Sequence, residues 1–233
     1  MRVVISQPMF FPWVGLFEQV RLADIFVHYD DVQLPRGRSF IRRVQIKTPR
    51  GPAWLTVPVR KGAHLIREAR LDDSWDWRET HRKMLRHNYA KAPFVGEMLE
   101  MTKDVYAQKT DSLCELNIYA IEKIAAYFGL TPCFLRSSRL GIGGLSSERL
   151  LRIVKELGGT TYITGHGARN YLDHPRFEAE GVRVEYMNYR CVPYPQLHGA
   201  FTPFVTILDL IANTGKEGRD VIRSDTVYWK EFL

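Results

Sequence analysis

Gly165-His166-Gly167 is the sharpest chemical feature of the chain. Two glycines around a histidine allow a tight turn that leaves the imidazole accessible, and a histidine side chain titrates near neutral pH. Such a residue can act as a general base or hydrogen-bond an anionic substrate. A turn histidine with neither task is the competing reading. Asp30 and Asp31 come second. They can bind a metal, orient an amine or serve as base. Neighbours on a strand point to opposite faces, so one of the two enters a cleft; a surface or capping role is the alternative. Gly141-Ile142-Gly143-Gly144 runs into Leu145-Ser146-Ser147 and a helix. Free N–H groups and the helix dipole there can cradle an anion. The pattern is neither a Walker loop nor the dinucleotide fingerprint, and Ser146 or Ser147 serves equally as a helix N-cap.

The fourth feature is Gln7-Pro8-Met9-Phe10-Phe11-Pro12-Trp13-Val14-Gly15. Two prolines forbid regular continuation of the preceding strand, and with the glycine they fix the backbone. That is how a site holds a polar side chain such as Gln7 still. Phe10, Phe11, Trp13 and Phe17 can instead simply lid the core. His64, His81, His87 and His198 show no metal-ligand spacing. Cys114, Cys133 and Cys191 are odd in number and form no CxxC pair, so they read as small core residues rather than a zinc site, a disulfide framework or nucleophiles. The residues name no cofactor and no metal.

The elements that must position these groups alternate. Val3 to Ser6 reads as a strand, Gly15 to Leu22 as a short amphipathic helix and Ile25 to His28 as a second strand, a βαβ unit with a right-handed crossover. Strands at Cys133–Arg136, Thr161–Thr164 and Val182–Met187 follow, with helices at 147–157, 168–172 and 205–212. Between them, Phe40–Lys47, Trp54–Val59 and Ile66–Leu71 look like short antiparallel strands. Trp75–Tyr89, Phe94–Tyr106 and a helix capped by Asp111 and stopped by Gly129 come next. The expected fold is α/β: a Rossmann-like parallel-sheet core over 1–35 and 131–233. An insertion at 36–130 carries short strands (36–72) and helices (75–128). Ligands gather outside the C-terminal ends of parallel strands. That rule brings Gln7, Asp30, Asp31, Gln33, Ser137, Ser138, the 141–144 glycines, Gly165 to Gly167 and Asn188 to one edge.

The bulk numbers set the limits. With 233 residues, 45% hydrophobic and 25% charged, the chain can bury a core, and disorder as the main state is excluded. No apolar run approaches the roughly 18 residues of a membrane span. The N-terminus reads as an immediate strand rather than a signal peptide, so a cytoplasmic location is expected. The net charge is +7, and part of the excess lies between Arg36 and Arg70, Arg38 included. It favours anionic partners: nucleotides, nucleotide sugars, an acyl-carrier protein, RNA or an anionic membrane face. A merely solvated surface is the alternative.

The chain resembles the WbqC-like proteins. Ile5-Ser6-Gln7-Pro8, Phe11-Pro12-Trp13-Val14-Gly15 and Phe17 look like their opening signature. The match runs on through Asp31-Val32-Gln33, Arg43 with Ile46-Lys47, and Leu55 to Val59. It resumes at Tyr162 to Gly165, Gly167-Ala168 and Tyr171-Leu172-Asp173, then at Tyr194, Gln196, Phe201, Pro203 and Ile207 to Leu210. Two departures stand out: Arg42 where asparagine is common, and Thr164 where serine is common. The family is similar to products of bacterial O-antigen and surface-polysaccharide gene clusters, some labelled glycine or aminoacyl transferases. The resemblance thus implies a transferase that adds an acyl or aminoacyl group to an amino sugar or related amine, with a nucleotide-linked substrate and an acyl- or aminoacyl-carrier as partners. On that reading His166 or Asp31 is the base, Gln7 orients substrate, and Phe11 and Trp13 stack on a base or sugar. Arg43 holds a phosphate, and backbone N–H groups at Gly165 to Gly167 or Gly143-Gly144 hold an oxyanion or phosphates; Gln33 and Tyr171 line the same cleft. The opening also looks like that of nucleotidyltransferase-type proteins, pantothenate synthetase among them, but both histidines of their HxGH motif are missing. An ATP-dependent adenylylating enzyme and a non-catalytic nucleotide-sugar or RNA binder are the rival readings, nucleic acid being the less favoured partner.

Overall fold

The computed structural model describes residues 1–37 and 39–233; Arg38 lies outside the described residues. The chain opens with β1 (Arg2–Ser6), α1 (Val14–Leu22) and β2 (Ile25–His28). These strands form because their apolar side chains alternate between two faces. Val4 and Phe26 enter the cluster on one side of the sheet, whereas Val3, Ile5 and Val27 enter the cluster on the other. Both faces are therefore buried.

Between β2 and the next sheet strand the chain makes the hairpin β3 (Arg43–Ile46) and β4 (Ala53–Thr56), a 3-10 turn at Ile66–Glu68, and helices α2 (Trp77–Asn88), α3 (Val95–Tyr106) and α4 (Leu113–Tyr127). Two expectations fail here. Ile66–Leu71 is not a strand: it buries Ile66, Ala69 and Leu71 through a 3-10 turn and forms isolated bridges, Val59 to Leu71 and Arg70 to Ser112, instead of a ladder. The cap of α4 is Ser112, whose extended backbone lets its hydroxyl accept from the Glu115 N–H at 3.4 Å; Asp111 pairs with Arg70 instead. Leu55, Trp77, Met98, Leu116 and Ile121 join Val4 and Phe26 in one apolar cluster, so this segment shares its core with the sheet.

The chain then returns as β5 (Cys133–Arg136), α5 (Ser137–Leu140), α6 (Ser146–Glu156), β6 (Thr161–Thr164), a 3-10 turn at His166–Asn170, α7 (His174–Ala179) and β7 (Arg183–Asn188). It ends with α8 (Ile207–Thr214), a 3-10 turn at Gly215–Asp220, β8 (Asp225–Tyr228) and α9 (Trp229–Phe232). The main sheet has the order β5-β2-β1-β6-β7-β8, parallel except for β8, which runs antiparallel to β7. Renumbered within the sheet, this is the 3-2-1-4-5-6 order of dinucleotide-binding folds, with its switch point between β1 and β6. Of the described residues, no helix is long and apolar enough to cross a membrane.

Candidate active site

The switch point is a place where strands part. β1 pairs with β2 as far as Ser6 and His28, but with β6 only as far as Val4 and Ile163. Gln7 and His166 each lie three residues past that last pair, Gln7 in the loop after β1 and His166 at the start of the 3-10 turn after β6. Gln7 is half-buried, and its amide makes no hydrogen bond to a described residue.

The loop that carries Gln7 is pinned from two helices. The Asn117 amide of α4 donates to Pro8 O at 2.9 Å and to Ile41 O at 2.7 Å. At the other end, the Thr206 hydroxyl donates to Phe11 O at 2.8 Å and the Ile207 N–H to Pro12 O at 2.8 Å. Phe11 sits at φ 37°, a left-handed conformation strained for a ring-bearing residue. Its ring is wholly buried, edge-on to Phe10 and Tyr106. Phe11 therefore anchors the loop in the core and has no face left for a substrate. Trp13 is half-buried and lies against Tyr189 and Phe204, with ring centres 4.9 and 5.9 Å away. Its indole also rests on Gly15, where an added Cβ would fall 2.3 Å from the ring, which explains the Pro-Trp-Val-Gly spacing.

Across the crevice, His166 is exposed. Its Nε2 lies 2.6 Å from the carbonyl oxygen of Met187 at the end of β7. A carbonyl only accepts, so Nε2 is the donor in this contact and Nδ1 is the ring nitrogen left open. That nitrogen has no partner among the described residues. The ring packs between Tyr189 and Phe232 at 5.1 and 4.8 Å. Gly165 fits closely beneath Tyr189: a Cβ there would come within 3.2 Å of the Tyr189 hydroxyl, which is itself bonded to the Gln19 amide at 2.6 Å. At Gly167 an added Cβ would meet nothing within 4 Å and φ is not positive, so no contact within the chain demands glycine.

The carboxylates at the end of β2 have another task. Asp31 Oδ2 lies 2.6 Å from the Arg149 guanidinium of α6, and its Oδ1 lies 2.6 Å from the Ser137 hydroxyl of α5. Asp30 accepts from the N–H and hydroxyl of Ser138 at 2.9 and 2.6 Å. Burial would raise the Asp31 carboxyl, but the hydrogen bonds from Arg149 and Ser137 and the Arg149 charge outweigh it and hold Asp31 below its usual value. A carboxylate so engaged is a poor acceptor for an amine proton. Asp31 thus ties the chain after β2 to α5 and α6.

The remaining candidates spread along the edge. Tyr171 is exposed after the 3-10 turn, and its carbonyl accepts from Ser147, whose own hydroxyl accepts from the Asp173 N–H at 2.9 Å. Ser147 therefore ties α6 to the chain before α7 and does not cap its helix, whose N-cap is Leu145. Gly144 backs onto Arg149 at φ 114°, whereas Gly143 is open. Gln33 is exposed and bridged to Leu65, and Arg43 lies on β3 with its guanidinium 3.8 Å from the Trp54 ring centre. These last two belong to the hairpin side of the edge, not to the β1–β6 crevice. Among the described residues no three of His, Cys, Asp and Glu group so as to hold a metal ion.

Sequence reasoning missed Tyr189, Gln19 and Arg149. Nothing local marks Arg149, which reaches Asp31 across 118 residues. Tyr189 follows a strand end directly, and the same edge rule that selected Asn188 could have found it. A further buried network holds the returning segment beside Trp13. Asp209 accepts from Tyr89 and Tyr194 at 2.8 and 3.0 Å, while Lys47 donates to Gln196 and to the carbonyls of Gly199 and Ala200.

The model of the WbqC-like protein family matches residues 7–221. The chain belongs to the WbqC-like family. The match begins at Gln7 itself, so the crevice loop lies inside it. A relative from Mycobacterium tuberculosis (strain ATCC 25618 / H37Rv), the uncharacterized protein Rv1507c, is 34% identical over 229 residues, spanning 95% of this chain and 97% of its own. No solved structure matches the chain significantly.

Proposed function

We propose that this WbqC-like protein is a transferase that passes an acyl or aminoacyl group, glycyl among them, from a carrier to an amino sugar or related nucleotide-linked amine of surface-polysaccharide synthesis. The observation that carries this reading is that two open polar groups follow the ends of adjacent strands: the Nδ1 of His166, left open by the Nε2–Met187 hydrogen bond, and the free amide of Gln7. The amine nitrogen attacks the carbonyl carbon of the donor, forming an amide bond as the carrier's ester or thioester bond breaks. The proton leaves the nitrogen for His166 Nδ1 and passes to the departing carrier oxygen or sulfur. Gln7 orients the acceptor, and the half-exposed Trp13 ring supports a sugar or base. The open space before Gly167 lets substrate approach the backbone closely.

The test is a transfer assay on the full chain, with a nucleotide-linked amino sugar and an acyl or glycyl carrier, read by mass spectrometry. Product heavier by one acyl or glycyl unit is expected, and His166→Ala should slow its formation by about 10²-fold or more. Unchanged turnover in that variant contradicts the reading. So does saturable binding with no product, which favours a non-catalytic binding protein.

A further inference from the structure

A second cavity near this edge carries charge of one sign only. The chain leaving β2 and the segment after β4 flank an open hollow of about 340 Å³ lined by residues 34–37, 39, 42 and 59–63. Arg36, Arg42, Arg60 and Lys61 line it, and its described lining holds no Asp or Glu. None of the four is ion-paired with a described residue. Asp73, whose carboxyl feels the Arg60 charge, is already taken by Arg78 and the Trp77 indole.

Other concavities differ. The groove along α3 and α4, about 550 Å³, mixes both signs and carries the pairs Lys103–Glu100 and Lys123–Asp104. The one between α6 and α7, about 540 Å³, is likewise closed by Arg152–Glu148 and Lys155–Glu180. A solvated surface interleaves charges in this way. Four cations without an ion pair to a described residue line one hollow and repel each other, which favours an anion among them.

The walls are held by backbone contacts. The Leu34 N–H donates to His64 O at 2.8 Å and the Arg60 N–H to Arg70 O at 2.9 Å. Gly37 and Gly62 turn the two walls at φ 78° and 105°, and Arg42 donates to Gly37 O within the first wall at 3.5 Å. Arginine forks match phosphate oxygens bidentately. A single phosphate carries about −1.5 to −2 charges, which leaves half the positive charge here unmet. The volume lies at the small end of ligand pockets, roughly 300 to 1,000 Å³, and suits a small molecule rather than a polymer.

We propose that this cavity binds the diphosphate group of a small nucleotide or nucleotide-linked ligand. The proposal goes beyond the transfer reading and does not rest on it. The experiment is calorimetric titration of the full chain with inorganic pyrophosphate and with ADP, with neither donor nor acceptor present. Saturable binding of both is expected, weakened about tenfold or more in Arg42→Gln/Arg60→Gln and unchanged in Arg152→Gln, which alters a different groove. No binding at millimolar pyrophosphate overturns the proposal. Equal weakening by Arg152→Gln also overturns it, because only net charge would then matter. Binding of single-stranded RNA with steep salt dependence, without binding of pyrophosphate, replaces it with a nucleic-acid surface.

Discussion

Two strand ends on the same edge of the sheet treat their polar groups in opposite ways. At the end of β2, all four carboxylate oxygens of Asp30 and Asp31 are engaged by Ser137, Ser138 or Arg149. At the ends of β1 and β6, the Gln7 amide and His166 Nδ1 are left without a described partner, while the atoms around them are firmly held. The side chains of Asp31 and Arg149 are only 15% and 11% exposed, so their bonding capacity is spent inside the fold. The two places differ in whether hydrogen-bonding capacity remains after folding.

The largest effect should come from breaking the Asp31–Arg149 pair. Arg149→Ala leaves the Asp31 carboxylate largely buried without its cation, and a stability loss of about 3–5 kcal/mol is expected in urea unfolding. His166→Ala should cost about 1 kcal/mol or less, since it loses one hydrogen bond and some ring contact. If the two costs prove equal, the contrast between the two places collapses.

Gly15→Ala tests the crevice wall. Its Cβ would overlap the Trp13 indole, and a loss of about 1–3 kcal/mol is expected. In a Trp13→Ala background that cost should vanish, which a double-mutant cycle reads directly. A Gly15→Ala cost that persists without Trp13 would place the constraint elsewhere.

The smallest effect is in the acid limb of stability. The folded Asp31 carboxyl lies below its unfolded value of 3.8. The unfolded chain then binds the proton first as pH falls. This contribution is complete above the unfolded value and is lost as pH drops through the folded one. Asp31→Asn should flatten the wild-type fall in urea midpoint below about pH 4; an acid limb identical to wild type would show that Asp31 is not ionised in the pair.

Much of this was legible in the sequence because it is local. Ile25–His28, Cys133–Arg136 and Thr161–Thr164 are strands with the bounds expected from their apolar runs. The edge rule for parallel strands then brought Gln7 and Gly165 to neighbouring strand ends. What escaped is non-local. β8 is a short, half-buried edge strand with no strong alternation, and it is fixed only by antiparallel pairing with β7. Phe11 stands in an aromatic loop where nothing local separates a ring turned inward from one turned outward. Its burial follows from α8 and α4 holding the loop, elements about a hundred residues or more away. The Arg149 partner of Asp31 escaped for the same reason: nothing local distinguishes it from the other charged residues of α6.

The most direct measurement is a crystal structure of the full chain soaked with a nucleotide-linked amino sugar. The account predicts density for its amine-bearing sugar between the β1 and β6 ends, within contact of Gln7, Gly165 and His166. A ligand seated at well-defined density elsewhere, with the Gln7 amide and His166 Nδ1 left untouched, would contradict it.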